Sequence, residues 1–419
     1  MEDEKLSNIS TYLNDKEIYT VINKTIFNDN NNEYKCNSKH LDEIINDIKK
    51  EKLKYKDNNS FNIQKNKINV TLFNKIRDIA ISKGGFLNNY YRKYIYAYIF
   101  NIDIDNEIEY NNNYNNINIK NNLDFLKINY NENINLNNTL SLSKSSNINS
   151  VKIESNKNNI IKDHKNLQEE TGNNYYSIIK VDTYRSKINY LLDSKFSHTT
   201  NLLIKQKLHR LVSNITDILD NRYHYFQGFH DLLLLFLLLF QDDLITIKFI
   251  QIFCEFYIRE GMNSKDDHNN FNFMHEMQLI SKYVKLYDNN LGNEINSCFE
   301  EGYFFVTSWL ITFFSHNMND ISKQYRILDY ILVSNPSTIY CLSSTIIVEE
   351  YKLIKLNYNY KYNEHVSIDI LFKNFQNIDY NNYNYDESFI KCEKFKKRLK
   401  KLNFNPYDLL DRVLEPLYK

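Results

Sequence analysis

Proline and glycine are scarce in this sequence: three prolines (Pro336, Pro406, Pro416) and seven glycines stand among 419 residues. So few turn formers argue against many short strands and favour long helices with few breaks. Five cysteines (Cys36, Cys254, Cys298, Cys341, Cys392) never form a CxxC pair. That argues against a zinc site or a disulfide framework, and for a reducing, cytosolic compartment. Charge of either sign is not in excess. The 52 basic and 52 acidic side chains cancel, so no basic field exists to hold nucleic acid. Long apolar runs are missing too. The longest, residues 232–240, would reach only about 14 Å as a helix, against the roughly 30 Å of a bilayer core. It reads as a buried helix and not as a membrane span. The opening "MEDEKLSNIS" is acidic and polar, unlike a secretory signal. No GxxxxGK[ST] loop occurs, so the chain is not expected to cradle nucleotide phosphates in that way.

What is present is a hydrophobic content of 42%, enough for one large or two ordinary domains. Residues 1–75 are rich in Asn, Lys, Asp and Ile with weak periodicity, and read as a loosely ordered extension. The segment "LFNKIRDIAISKGGFLNNYYRKYIYAYIF" predicts a helix, a break at Gly84-Gly85 and a second helix. Residues 103–172 are low-complexity text ("NNNYNNINIKNN") that buries too little apolar surface to offset chain entropy, and read as a solvated insertion. Order resumes near Tyr175. In "NLLIKQKLHRLVSNITDILDN" the residues Ile204, Leu208, Leu211, Val212, Ile215, Ile218 and Leu219 mark one helical face. The segments "LITIKFIQIFCEFYI", "HEMQLISKYVKLY", "YFFVTSWLITFFSH", "ISKQYRILDYILVS" and "STIYCLSSTIIVEEYKLI" each have helical length and period. The expected fold is all-α.

Two stretches stand out for their chemistry. In "HYFQGFHD" a glutamine and a glycine sit at the mouth of the most apolar segment. Gln227 can donate and accept hydrogen bonds and so could orient a water. Gly228 permits a sharp turn or a close approach. Asp231 sits where an N-cap would open the leucine-rich helix. His230 reads as a hydrogen-bonded positioning residue rather than a base, with Tyr225 and Phe226 packed behind Gln227. The plainer reading is a helix-start turn with capping polar residues. In "IIKVDTYRS" the spacing Ile179-x-x-Asp182-x-x-Arg185 puts the carboxylate and guanidinium on one face if the segment is helical. Asp182 could then steer Arg185, whose planar fork suits phosphate. The plainer reading here is a surface ion pair. Trp309, Phe313 and Phe314 read as core; His209 and His316 are assigned nothing.

In this order and roughly forty residues apart, the two stretches resemble the paired signatures of the TBC (Tre-2/Bub2/Cdc16) domain, which accelerates GTP hydrolysis by Rab GTPases. The family's IxxDxxR motif matches Ile179, Asp182 and Arg185; its YxQG motif matches Tyr225, Gln227 and Gly228. "HYFQGFHD", "SWLITFFSH" and the "GGFLNNYYRKYIY" segment are similar to the branch associated with the endoplasmic reticulum that acts on Rab1-type GTPases. The family's usual tryptophan in that last segment corresponds to Tyr96, a departure. "VSIDILFKNF" through "FNPYDLLDRV" resembles its closing helices.

The resemblance implies a Rab-GAP domain over 76–410, interrupted by 103–172, with a tail at 411–419. It implies that Arg185 acts as an arginine finger in trans and Gln227 as a glutamine finger, with Ile179, Asp182, Tyr225, Gly228, His230 and Asp231 in support. No cofactor of its own is expected, since the partner GTPase carries GTP and magnesium; nor is a metal site, nucleic-acid partner or independent GTP hydrolysis. Branch members carry a C-terminal anchor, whereas this sequence ends at "DRVLEPLYK". The expected location is cytoplasmic, or peripheral on endoplasmic reticulum or Golgi membranes. A non-catalytic Rab-binding scaffold of the same fold is the alternative, and an unrelated helical adaptor a more distant one.

Overall fold

Asparagine or aspartate opens six of the described helices in this glycine-poor chain. The computed structural model describes residues 35–56, 69–104, 175–185, 225–258, 271–300, 302–358 and 366–402, with isolated positions between 205 and 213. Thirteen α-helices and no strand lie among them. In chain order they are α1 (Lys35–Lys56), α2 (Val70–Ile81), α3 (Asn89–Ile99), α4 (Tyr175–Arg185), α5 (Phe229–Phe240), α6 (Asp243–Phe253) and α7 (Phe271–Tyr287). Then follow α8 (Asn289–Cys298), α9 (Thr307–Thr312), α10 (Ile321–Leu332), α11 (Thr338–Asn357), α12 (Ile368–Gln376) and α13 (Tyr385–Lys401). The side chains of Asn69, Asn88, Asp242, Asp288, Asp320 and Asn384 each accept a backbone N–H in the first turn of the following helix. Each such cap stabilises its helix by about 1 kcal/mol.

The all-α expectation holds among the described residues, and the break at Gly84-Gly85 falls between α2 and α3 as read. Three segments differ from their sequence reading. Residues 1–75 were expected to be loosely ordered, yet α1 is a helix whose Leu41, Ile44, Ile45 and Ile48 are buried in the common core. The stripe at spacings of three and four is diluted by lysine and asparagine, which hid it. "YFFVTSWLITFFSH" is not one helix. Helix α9 is confined to Thr307–Thr312, with single 3-10 turns at Phe304–Val306 and Ser315–Asn317. Phe313 and Phe314 end it in the left-handed region. "LITIKFIQIFCEFYI" passes from α6 into a π-helical turn at Cys254–Ile258. The 103–172 insertion from residue 105 on and the closing "FNPYDLLDRV" lie outside the described residues. So does most of the stripe at 204–219, of which Leu208 and Val212 are described and buried.

All twelve residues of α5 are buried. The helix packs on α6, α9, α3 and α4, so its leucine run faces protein on every side. A second, largely buried element is α10, which ties the N-terminal helices to the centre through one carboxylate. Asp329 accepts four hydrogen bonds: from Arg92 Nε at 2.9 Å and Nη2 at 3.0 Å, from the Tyr96 hydroxyl at 2.7 Å and from the Phe86 N–H at 3.1 Å. Tyr96 thus fills the core and supplies a donor. Gly85 must be glycine here. Its φ is 55°, and a Cβ would stand 2.7 Å from Asp329 Oδ2. On the same helix Arg326 donates to the carbonyls of Ala80 and Ser82 at the end of α2, at 2.7 and 2.8 Å.

Because Asp329 and Arg92 are both buried, removing one strands the other's charge. Asp329→Ala is expected to lower the free energy of unfolding by about 3–5 kcal/mol, measured by urea denaturation. A loss under about 1 kcal/mol, the value of an exposed pair, would show that this knot does not anchor α2 and α3.

Candidate functional site

The site is assembled from three segments. In α4, Ile179 is buried and fastens the helix to the core, while Thr183 donates back to the Ile179 carbonyl at 2.9 Å. Asp182 follows one turn after Ile179 and is likewise buried, and its Oδ1 accepts from Arg185 Nη2. The pair is asymmetric. The Asp182 side chain is 1% exposed and that of Arg185 54%, so a fixed base holds a cation whose other donors face outward. This is unlike the surface ion pair that spacing alone allowed. Ile178, Val181 and Tyr184 are exposed on the same helix.

The second segment precedes α5. Tyr225 is buried, and its hydroxyl donates to Asp182 Oδ2 at 2.8 Å, bridging 43 residues of sequence. His230 Nδ1 lies 2.9 Å from the same hydroxyl oxygen. The hydroxyl has one proton, and it goes to the carboxylate; Nδ1 therefore carries its own proton and donates. Burial, the Asp182 hydrogen bond and the nearby carboxylates push the Tyr225 hydroxyl well above the usual phenol range, so it remains a donor. Phe226 is half-buried and packs on Phe229 at 5.6 Å between ring centroids. Gln227 is exposed on the turn that enters α5.

Asp231 does not cap α5. Gly228 occupies the N-cap position with φ 102° and no side-chain cap, a conformation glycine reaches without a Cβ clash. A Cβ there would also stand 2.8 Å from Thr312 Cγ2. Asp231 lies in the first turn of the helix and its carboxylate points to the third segment. His316 Nδ1 donates to Asp231 Oδ2 at 3.0 Å, and His230 Nε2 lies 3.4 Å from Oδ1. Sequence reasoning assigned His316 nothing, because it is 85 residues from Asp231 and ends "SWLITFFSH", a stretch matched as a whole with no role for its single residues. The structure brings all eight motif-derived candidates to the α4–α5 junction and adds Thr312 and His316. Among the described residues no group of three or more His, Cys, Asp or Glu side chains could hold a metal ion.

His230 has its proton affinity lowered, by burial first; the Asp231 and Asp182 carboxylates act the other way, and His316 and Arg185 add to the lowering. The unfolded chain therefore takes up the proton more readily. The stabilisation is complete above the ordinary imidazole value of about 6.5 and is lost as pH falls through it toward the folded value. Urea stability of the wild type is expected to fall more between pH 7.5 and 5.5 than that of His230→Asn; equal pH slopes would remove His230 as the cause. Tyr225→Phe leaves a lone pair of buried Asp182 without its donor and is expected to cost about 1–3 kcal/mol in the same assay.

Comparison with known proteins gives the family. The Rab-GTPase-TBC domain family matches residues 90–354, which include both motif segments. "TBC1 domain family member 20" of Bos taurus and of Homo sapiens are each 29% identical over 113 residues, 27% of this chain and 27% of each relative. "GTPase-activating protein gyp10" of Schizosaccharomyces pombe is 26% identical over 166 residues, 38% of this chain and 42% of that protein. The chain thus spans about a quarter to two fifths of the length of these relatives. With the family match covering more than half of its residues, the chain belongs to the Rab-GTPase-TBC domain family.

Proposed function

We propose that this protein accelerates GTP hydrolysis by a Rab-family GTPase, with Arg185 and Gln227 supplied in trans as arginine and glutamine fingers. The observation that carries the reading is the bond from Tyr225 to Asp182. It joins the arginine-bearing helix to the glutamine-bearing turn through buried groups, while both tips stay exposed. Phosphoryl transfer to water is catalysed mainly by positioning and charge stabilisation. The GTPase carries the nucleotide and its magnesium. Arg185, oriented by Asp182, places a permanent cation against the charge that develops on the transferring phosphoryl group. Gln227 orients the attacking water, and Gly228 removes the side chain that would hold the turn away from the nucleotide. The exposed apolar face of Ile178, Val181 and Tyr184 beside Arg185 suits a protein partner better than a free nucleotide.

The fission-yeast relative's name, a GTPase-activating protein, agrees with this activity. Resemblance to the endoplasmic-reticulum branch points to a Rab1-type substrate and a role in vesicle traffic between that organelle and the Golgi. Among the described residues no helix is long and apolar enough to cross a membrane; peripheral attachment at those membranes is the accompanying proposal.

Single-turnover phosphate release against a panel of GTP-loaded Rabs tests the reading. Wild-type protein should stimulate at least one member. Arg185→Ala and Arg185→Lys should lose most of an effect that reaches about 10³–10⁵ for a trans-acting arginine, because a lysine cannot reproduce the planar fork. Gln227→Ala should also fall strongly. A Rab whose switch glutamine is replaced by leucine should still respond to wild-type protein, since Gln227 stands in for that residue. Full activity of the Arg185 variants would overturn the arginine assignment. Failure on a leucine variant that still binds would return Gln227 to a capping-turn residue. Binding without stimulation anywhere in the panel would leave a scaffold.

A further inference from the structure

Gln227 stands on a turn that the Phe229 N–H closes on the Phe226 carbonyl at 3.1 Å, with no side-chain cap at Gly228. The floor beneath it comes from the last residue of α9 and the segment after it. Thr312 Cγ2 and His316 Nδ1 are the nearest atoms to the space a Cβ on Gly228 would fill, at 2.8 and 3.8 Å. His316 is itself held at both ends. Its N–H donates to Thr312 Oγ1 at 3.2 Å, and that hydroxyl donates to the Ser308 carbonyl at 2.5 Å. Its Nδ1 donates to Asp231 Oδ2 at 3.0 Å.

The backbone that delivers it is strained. Phe313 and Phe314, at φ 50° and 64°, occupy the left-handed region in succession, where bulky side chains are genuine outliers. Both are buried; Phe314 stacks on Trp309 with ring centroids 5.1 Å apart, and Phe313 packs edge-on against Phe253 at 5.2 Å. Strain of this kind persists where the surroundings over-determine it, and it clusters at functional sites. Here its consequence is to swing Ser315 and His316 out of the helical path and up against Gly228 and Asp231.

From His316 a hydrogen bond reaches Asp231; the other Asp231 oxygen lies 3.4 Å from the unprotonated Nε2 of His230, and from His230 Nδ1 hydrogen bonds continue to Tyr225, Asp182 and Arg185. We infer that His316 is a positioning residue for GTPase activation, backing the Gln227-bearing turn at Gly228 and fixing the entry of α5 through Asp231. The inference rests on the function proposed above. It adds a residue from a third segment, outside both motifs. Its Nδ1–H on a first-turn carboxylate sets the orientation of α5's entry. Rates respond steeply to such placement, about 10²-fold for a shift of 1 Å.

The test is single-turnover phosphate release at increasing concentrations of the full chain, on a Rab that the wild-type protein stimulates. His316→Ala should lower the maximal rate about 10-fold while the half-saturating concentration stays within about 2-fold, since uniform binding is untouched. His316→Asn puts an amide donor where Nδ1 was and should recover most of the rate. His316→Gln, whose amide reaches past that point, should not recover it. The Asn and Gln variants are similar in polarity, so a difference between them at matched melting temperatures cannot come from unfolding. Three results would overturn the inference: an unchanged maximal rate in His316→Ala, a loss confined to the half-saturating concentration (which makes His316 a partner contact), or Asn no better than Gln. A wild-type protein inert on every Rab would instead overturn the proposed function, and this inference with it.

Discussion

A carboxylate buried beneath a surface arginine is the constraint on which the site depends. Asp182 has almost no contact with water, and an ionised group in that position is tolerated only with its lone pairs occupied. One oxygen takes Arg185 and the other takes Tyr225. That requirement brings Tyr225, four residues before the start of α5, to α4, and the turn bearing Gln227 comes with it. The guanidinium is then anchored at its inner side and open at its outer side. Preorganised stabilisation of developing charge takes this form: a donor already in place does not have to be reoriented when the reaction occurs.

The fold repeats the device away from the site. Asp329 is also fully buried and also satisfied by an arginine and a tyrosine, with a backbone N–H in addition. The two differ in where the arginine ends. Arg92 is buried and all of its partners lie within the fold, which makes it a clamp between α3 and α10. Arg185 points outward. The same chemical pair thus serves cohesion in one place and presentation in the other, and solvent exposure of the cation separates the two.

Scarcity of glycine shapes both. Among the described residues, left-handed backbone falls to Leu87, Asn101, Gln241, Phe313 and Phe314 as well as to four glycines. Where glycine does occur at positive φ against a neighbour, as at Gly85 and Gly228, a Cβ would collide with a side chain of the structure's key networks, Asp329 in one case and Thr312 in the other. The phenylalanine pair carries strain that burial of two aromatic rings offsets. It is through that strained corner that His316 reaches Asp231.

Helical period and the few breaks made most of the architecture legible in the sequence: α2, α3, α7, α10 and α11 lie where apolar spacing placed them, because a one-sided stripe needs no distant information. The motif residues were legible as well, since Asp182 and Arg185 are three apart on one helix and Gln227 and Gly228 are adjacent. Local pattern could not reveal α1, whose short apolar face is diluted by lysine and asparagine, nor the abrupt end of α9, where tertiary packing overrides helix continuation at Phe313. Asp231 looked like a cap because caps are defined by nearby sequence; its true partner lies 85 residues away. The sequence by itself determined which residues could form helices and which side chains carry the right chemistry. Only the tertiary structure decided which buried carboxylate meets which donor, because that pairing is set by packing between helices and leaves no period or spacing in the chain.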